Sequence, residues 1–359
     1  MMTQTADVAG EVVLSCTEIA ETVAFFTDTL GFRIVSVFPA DDPRAVRLSG
    51  FGLGIRLERD GRRDDSMLRL PGTGDETLCA PNGTRIRRGP AEPPLVVPPP
   101  QPALVITTAA GNAAWHTGRA GMQYRDLVPG RLGGHLIASH IRIPGRGPVP
   151  DYVHFHKVRF QLIFCRRGWV RVAYEDQGPP FVLEPGDCVL QPPEIRHRVL
   201  ESGDDLEVVE VGSPAEHVTA VDHALSLPTD TLRPERTFSG QRFVRHRAAN
   251  AAWATWRIPG FEARDTGIAA ATGGIGSVVV ARPAGVPERR FVRHDAPSLF
   301  LFVLAGRMRL ELEGGRSEPL GPDDSAMLPP GLGYRLADCS PDLELLEVAM
   351  PAGFATTPA

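Results

Sequence analysis

The chain has 359 residues, a net charge of −5 and 42% hydrophobic content. That length suits two or three ordinary domains, and an acidic balance without a basic stripe excludes nucleic acid and anionic membrane from the expected partners. The longest apolar run, at 299–305, is far short of the roughly 20 residues that span a bilayer.

The N-terminus carries no basic region ahead of an apolar run, so no signal peptide is expected. The five cysteines are an odd, unclustered set without a CxxC pair. Free thiols in a reducing compartment follow, and the expected location is cytoplasmic. The 34 Pro and 37 Gly punctuate short apolar runs, the pattern of many short strands and tight turns.

A short apolar strand opens the chain after Glu11. Ile19, Val23, Phe26 and Leu30 then recur at helical spacing, with Thr17 as the N-cap and Gly31 as the stop. Strand-like runs at 32–38, 45–48 and 53–57 complete a β-α-β-β-β order. Asn82-Gly83, between the runs 77–80 and 84–87, predicts a hairpin; the Asn82-Gly83-Thr84 sequon is read as that turn. Through AFFTDTLGFRI this segment resembles the vicinal-oxygen-chelate, glyoxalase-like module. That family assembles two modules into a cup around a metal, held by a His on the first strand and a Glu on the fourth. The corresponding positions here are Glu11 and Glu58. With one module present, the resemblance implies a structural or dimerising role, and a homo-oligomer, in the first instance a dimer, is expected. The module is placed at 1–88, followed by a stiff Pro-rich linker at 89–103.

The remainder repeats itself. Arg125-Asp126 aligns with Arg264-Asp265, Gly133-Gly134 with Gly273-Gly274, Gly168 with Gly306, and Pro192-Pro193 with Pro329-Pro330. Landmarks in one order at a nearly constant offset indicate an internal duplication. Each copy consists of short β-branched and aromatic runs between Gly/Pro turns, the pattern of an antiparallel barrel or jelly roll. The two copies are placed at 104–220 and 221–359.

In the first copy His154 and His156 are two residues apart, so on a strand both imidazoles share a face. Gln161 lies five residues on, Gly168 closes the hairpin, and Pro185-Gly186-Asp187 leads into a strand followed by His197. This spacing resembles the two cupin motifs, in which HxH, a Glu and a later His bind a divalent metal. The resemblance implies a mainly β bicupin with a metal site at His154, His156, Gln161 and His197, holding one divalent ion (Fe, Mn, Ni, Zn or Cu). Gln161 replaces the usual Glu, which removes one negative charge from the ligand set. In the second copy the same positions hold Val292, His294, Leu299 and Tyr334, so that barrel is expected to be metal-free. Cys188 is read as a small buried hydrophobe.

Strand parity sets Tyr152 and Arg159 on the ligand face. Arg159 is a candidate partner for a substrate carboxylate and Tyr152 a candidate general acid, each weighed against surface pairing or packing. His140 and Arg142 share a face that lines either the cavity or its outer wall. Arg125-Asp126 recurs in the metal-free copy and is read as structural; Arg166-Arg167 falls in a solvated turn. The first function expected is a mononuclear metal-dependent enzyme acting on a small oxygenated or carboxylated metabolite. A dioxygenase is placed ahead of a non-redox isomerase or lyase. A cupin that binds or senses a small molecule is the second reading, and a storage-like structural bicupin, which three retained histidines oppose, is the third.

Overall fold

The structure is a computed structural model that describes residues 10–92, 94–112, 114–285 and 289–359. Its contacts divide the chain into two units, 1–94 and 95–359. Among the described residues, no helix is long and apolar enough to cross a membrane.

In the first unit the expected order is found: β1 (Val12–Cys16), α1 (Ile19–Ala24), β2 (Arg33–Phe38), β3 (Ala45–Gly50) and β4 (Leu53–Arg59). The sheet runs β1-β4-β3-β2, with β1 parallel to β4. Phe26, Leu14, Ile55 and Leu57 form its buried core. The helix starts one residue later than expected, with Glu18 rather than Thr17 at the N-cap position, and continues through a π-helical turn over Phe25–Thr29. Gly31, at φ +83°, ends it in the left-handed conformation that glycine adopts without strain. A second sheet holds β5 (Met67–Pro71), β6 (Glu76–Cys79) and β7 (Arg85–Gly89), and β6 and β7 make the hairpin around Asn82-Gly83. Asn82 is buried and its Nδ2 donates to the Ser15 carbonyl at 2.9 Å, as a turn residue does. Glu11 pairs with Arg47, and Glu58 with Arg56 at 2.6 Å. Neither carboxylate joins a metal-competent cluster among the described residues.

In the second unit two barrels repeat one strand order. The first pairs a sheet running 244–246, 188–190, 160–167, 206–213, 137–143, 123–126, 116–117 with a sheet running 181–183, 170–174, 197–202, 154–156, 219–221. The second pairs 105–107, 325–328, 298–305, 344–350, 277–283, 261–265, 254–255 with 317–320, 308–312, 334–337, 292–294, 356–358. The leading strand of each copy is thus exchanged: Val105–Thr107 pairs with the second barrel, and Val244–His246 with the first. The boundary expected at 220 divides the chain but not the fold, because such an exchange leaves no mark on local hydrophobic patterning.

Alternation along each strand decides what the two faces do. On Phe160–Arg167, Phe160, Leu162 and Phe164 turn outward and join Phe300, Phe302 and Leu346 in one core shared by both barrels. Full burial of such side chains contributes roughly 1.5–3 kcal/mol each. The second barrel therefore covers the first barrel's outer sheet, and the opposite parity carries Gln161 and Ile163 inside. Arg125 crosses the interface to the Asp323 carbonyl at 3.0 Å, and its repeat mate Arg264 reaches toward Gly186, which is the structural role expected of that pair. Arg166 bonds Asp323 at 3.0 Å instead of standing in solvent. The Pro-rich linker is held on the first barrel at its distal half, where Gln101 donates to the Leu132 carbonyl at 3.0 Å and His135 to that of Pro98 at 2.7 Å.

Candidate metal centre

His154 and His156 stand on one short strand, and His154 is directly opposite His197 on the next. The ring centroids of His154 and His197 are 4.2 Å apart, and each lies 5.2 Å from that of His156. Each Nδ1 has a hydrogen-bond partner: the Tyr152 carbonyl at 2.8 Å, the Thr219 hydroxyl at 2.8 Å and the Ile195 carbonyl at 2.9 Å, for His154, His156 and His197. The two carbonyls fix Nδ1 of His154 and His197 as the protonated nitrogen, and Nε2 of His154 takes the Arg119 guanidinium at 3.0 Å, a contact that an ion bound there would replace. One nitrogen from each of the three rings falls within 4.8 Å of the others, close enough to share an ion.

Gln161 adds a fourth donor. Its side chain is buried in the same cavity and its Nε2 donates to Glu210 Oε1 at 2.5 Å. Its Oε1 has no hydrogen-bond partner. A buried carbonyl oxygen left bare is costly, and a cation is what three imidazole nitrogens and an amide oxygen would accommodate. The residues present therefore fit a divalent metal. The negative charge missing at position 161 stands instead on Glu210, hydrogen-bonded behind the amide.

Burial holds the three imidazoles uncharged. His156 is drawn down to about 2 by desolvation and then by His154 and His217; His154 and His197 are also lowered, desolvation again leading. The unfolded chain takes up these protons below about pH 6.5, whereas the folded one resists them. Stability of the metal-free protein is therefore fully present above that value and falls as the pH drops through it. Denaturant unfolding of metal-free protein at about pH 7 and about pH 5 should show a clear loss. The loss should be smaller when all three histidines are alanine; equal losses would contradict this.

The two other expected site residues lie elsewhere. Arg159 is exposed, ahead of its strand, where its backbone bonds Ser213 and Gln241, and it does not line the cavity. Tyr152 is also exposed and lies outside the lining, its ring set edge-on to His154. Parity failed because residues 149–153 are not strand: Asp151 turns back to Val149 and breaks the alternation before His154. His140 and Arg142 belong to the outer wall. His140 bonds Arg125 and Glu207, each at 2.8 Å, and Arg142 stacks on Trp115. His140, Glu207 and Asp323 form a second set of potential donors, already met by the guanidinium groups of Arg125 and Arg166.

Sequence reasoning missed several cavity residues. Arg119 forms an ion pair with buried Asp151 and sets Nη2 3.0 Å from His154 Nε2. Tyr174 stacks on His197, and its hydroxyl accepts from Gln191 at 3.0 Å. His217 lies 5.4 Å from His156, its Nδ1 bonded to the Pro214 carbonyl. The repeat held a signal for two of them. Strand register aligns Glu210 with Glu347, and the adjoining Thr117 with Thr255, which brings Arg119 onto Arg257.

The second barrel fills the same place differently. Arg257 pairs with Glu347 and donates to the Tyr334 hydroxyl at 2.8 Å, so a fixed guanidinium occupies the end of the barrel where the histidines stand in the first. His294 is packed against Tyr334 and Phe354, and burial lowers it to about 4.

No family model matches the sequence, and no curated protein does. Solved structures match in fold. A salicylate 1,2-dioxygenase from Pseudaminobacter salicylatoxidans aligns with a TM-score of 0.54 at 14% identity, over 74% of this chain and 90% of that one. The oxalate decarboxylase of Lactobacillus farciminis, in a formate complex, aligns with a TM-score of 0.53 at 13% identity, over 70% and 88%. That of Bacillus subtilis gives 0.50 at 15% identity, over 70% and 78%. Both kinds of neighbour are two-barrel proteins, and at these identities the likeness is one of fold.

Proposed function

Residues 95–359 have the bicupin fold, and from the donor set in its first barrel we propose a mononuclear metal-dependent enzyme acting on a small oxygenated, carboxylated metabolite. The observation that carries this reading is the convergence of three imidazole nitrogens beside a partnerless amide oxygen. His154, His156, His197 and Gln161 would hold the ion. Bound there, a divalent metal supplies an electron-pair acceptor that polarises a substrate oxygen and holds reactants side by side.

The chain's own groups do the rest. Thr219 and the carbonyls of Tyr152 and Ile195 orient the rings, and Glu210 orients the amide. Arg119, tethered by Asp151, presents a guanidinium to the cavity; its planar fork suits a carboxylate. Apolar walls exclude water and strengthen these charge interactions. Arg119 thus takes the anchoring role first expected of Arg159.

Oxidative cleavage with O₂ is the first reaction proposed, and a non-redox lyase or isomerase step the second. Fold neighbours of both kinds, a dioxygenase and a decarboxylase, support keeping the pair. Screening metal-loaded protein over phenolic and oxo-acid substrates for O₂ uptake separates them. Uptake matching product supports the first, and product without uptake the second. Tight binding with no turnover would replace both with a sensing role.

Arg119→Ala is expected to raise KM for a carboxylated substrate about 10–100-fold, the value of a charge-assisted hydrogen bond, with a smaller change in kcat. The matching amide substrate should be unaffected. An equal KM increase for acid and amide would remove Arg119 from carboxylate binding.

A further inference from the structure

The cavity of the first barrel is much larger than its polar end requires. Its volume is about 430 Å³, within the range of roughly 300–1,000 Å³ typical of sites for sizeable organic ligands. Strand register shows how it is lined. Along four of its strands the inward side chain is polar at the histidine end and aliphatic beyond it. Tyr174 gives way to Val172 and Val170, His197 to Val199, Glu210 to Val208, and Gln161 to Ile163. At about 3.3 Å per residue and two residues per inward step, two such steps make an apolar passage on the order of 13 Å long.

The second barrel of the same chain is the internal control. Register places Leu310 at the position of Val172, Leu336 at that of Val199 and Met308 at that of Val170. These three larger side chains are 0–3% exposed and belong to a packed core. At other lining positions the first barrel holds the larger side chain, Tyr124, Ile137 and Ile141 standing where the second has Ala263, Ser277 and Ala281, and there Trp256, Phe261 and Leu345 contribute to the packed core instead. The fold thus closes around a packed core in one copy and leaves a chamber in the other. An apolar hollow left unfilled forfeits dispersion contacts, so the chamber kept open in the metal-competent barrel, with Val170, Val172 and Val199 along it, is room for something.

We propose that this room is the site for the tail of an amphiphilic acid: an oxygen-bearing head at the histidine end, and an uncharged alkyl or aryl body along the barrel axis. The head rests on the metal-dependent reading; the body rests on the chamber alone. Beyond Glu210 the lining carries aliphatic side chains and the Tyr124 phenol but, among the described residues, no charged group, which disfavours a charged body.

The test uses metal-loaded full-length protein and a series of hydroxamates, whose paired oxygens chelate metal: acetohydroxamate, hexanohydroxamate and decanohydroxamate. Calorimetric affinity should rise about fourfold per added methylene, the equivalent of ~0.8 kcal/mol each, until the chamber is full. The variant Val170→Met/Val172→Leu/Val199→Leu should keep metal content and acetohydroxamate affinity while losing the gain with chain length; Val172→Leu alone serves if the triple variant does not fold. Acetohydroxamate binding without any length dependence would overturn the chamber and leave the metal reading standing. An undiminished gain in the variant would also overturn it. Should no metal or acetohydroxamate bind, the metal reading fails by itself. Decanoate against acetate then decides the chamber: it survives only if decanoate binds wild type better than the variant.

Discussion

His154→Ala and His197→Ala are each expected to abolish stable metal binding, reduce turnover roughly a thousandfold or more, and leave the barrel folded. The activity estimate follows from losing several kcal/mol of charge stabilisation, at a factor of ten for every 1.36 kcal/mol. Folding should survive because the barrel is held by apolar packing on both faces of its seven-stranded sheet, with Phe160, Leu162 and Phe164 outside and Val172, Leu183 and Val208 within. Neither histidine belongs to those clusters. Metal content after dialysis, circular dichroism and turnover form the check. His294→Ala, in the barrel where Arg257 supplies the cation, should change none of the three. Full metal occupancy in His197→Ala would remove that residue from the ligand set.

The second large effect concerns the amide and the carboxylate behind it. Glu210→Ala is expected to weaken metal binding about 10–100-fold, as loss of an orienting partner does, because the Gln161 amide could then rotate its nitrogen toward the ion. Gln161→Glu should also weaken binding near neutral pH. The new carboxylate would face Glu210 across a distance now spanned by a 2.5 Å hydrogen bond, and two such groups cannot both stay ionised there. The double change Gln161→Glu/Glu210→Gln restores one charge and one amide, and should recover most of the affinity. Chelator competition at several pH values measures all three. Tighter, pH-independent binding by Gln161→Glu alone would show that Glu210 does not govern the site.

Much of this was written locally in the chain. The HxH spacing, the later His197 and the Gly/Pro turns specify strand parity and barrel closure, and they brought the three rings together as expected. Arg159 and Tyr152 were misplaced for one physical reason: parity holds only while backbone pairing continues, and it stops at both ends of the short 154–156 strand. Arg119 and Glu210 were harder to see because they arrive from a turn 35 positions before His154 and a strand 56 after it, as the chain numbering shows. Their mates Arg257 and Glu347 recur in the second copy, so extending the repeat to its ends would have marked them. The exchanged leading strands had no comparable signal, since Val105–Thr107 and Val244–His246 would satisfy either barrel's edge equally well by composition.

The account's central claim is that one barrel of two holds a metal, and elemental analysis of protein purified without a polyhistidine tag tests it most directly. One divalent ion per chain is the predicted result, falling to none in His154→Ala and staying at one in His294→Ala. Two tightly bound ions per chain, or one that survives His154→Ala and is lost in His294→Ala, would contradict it.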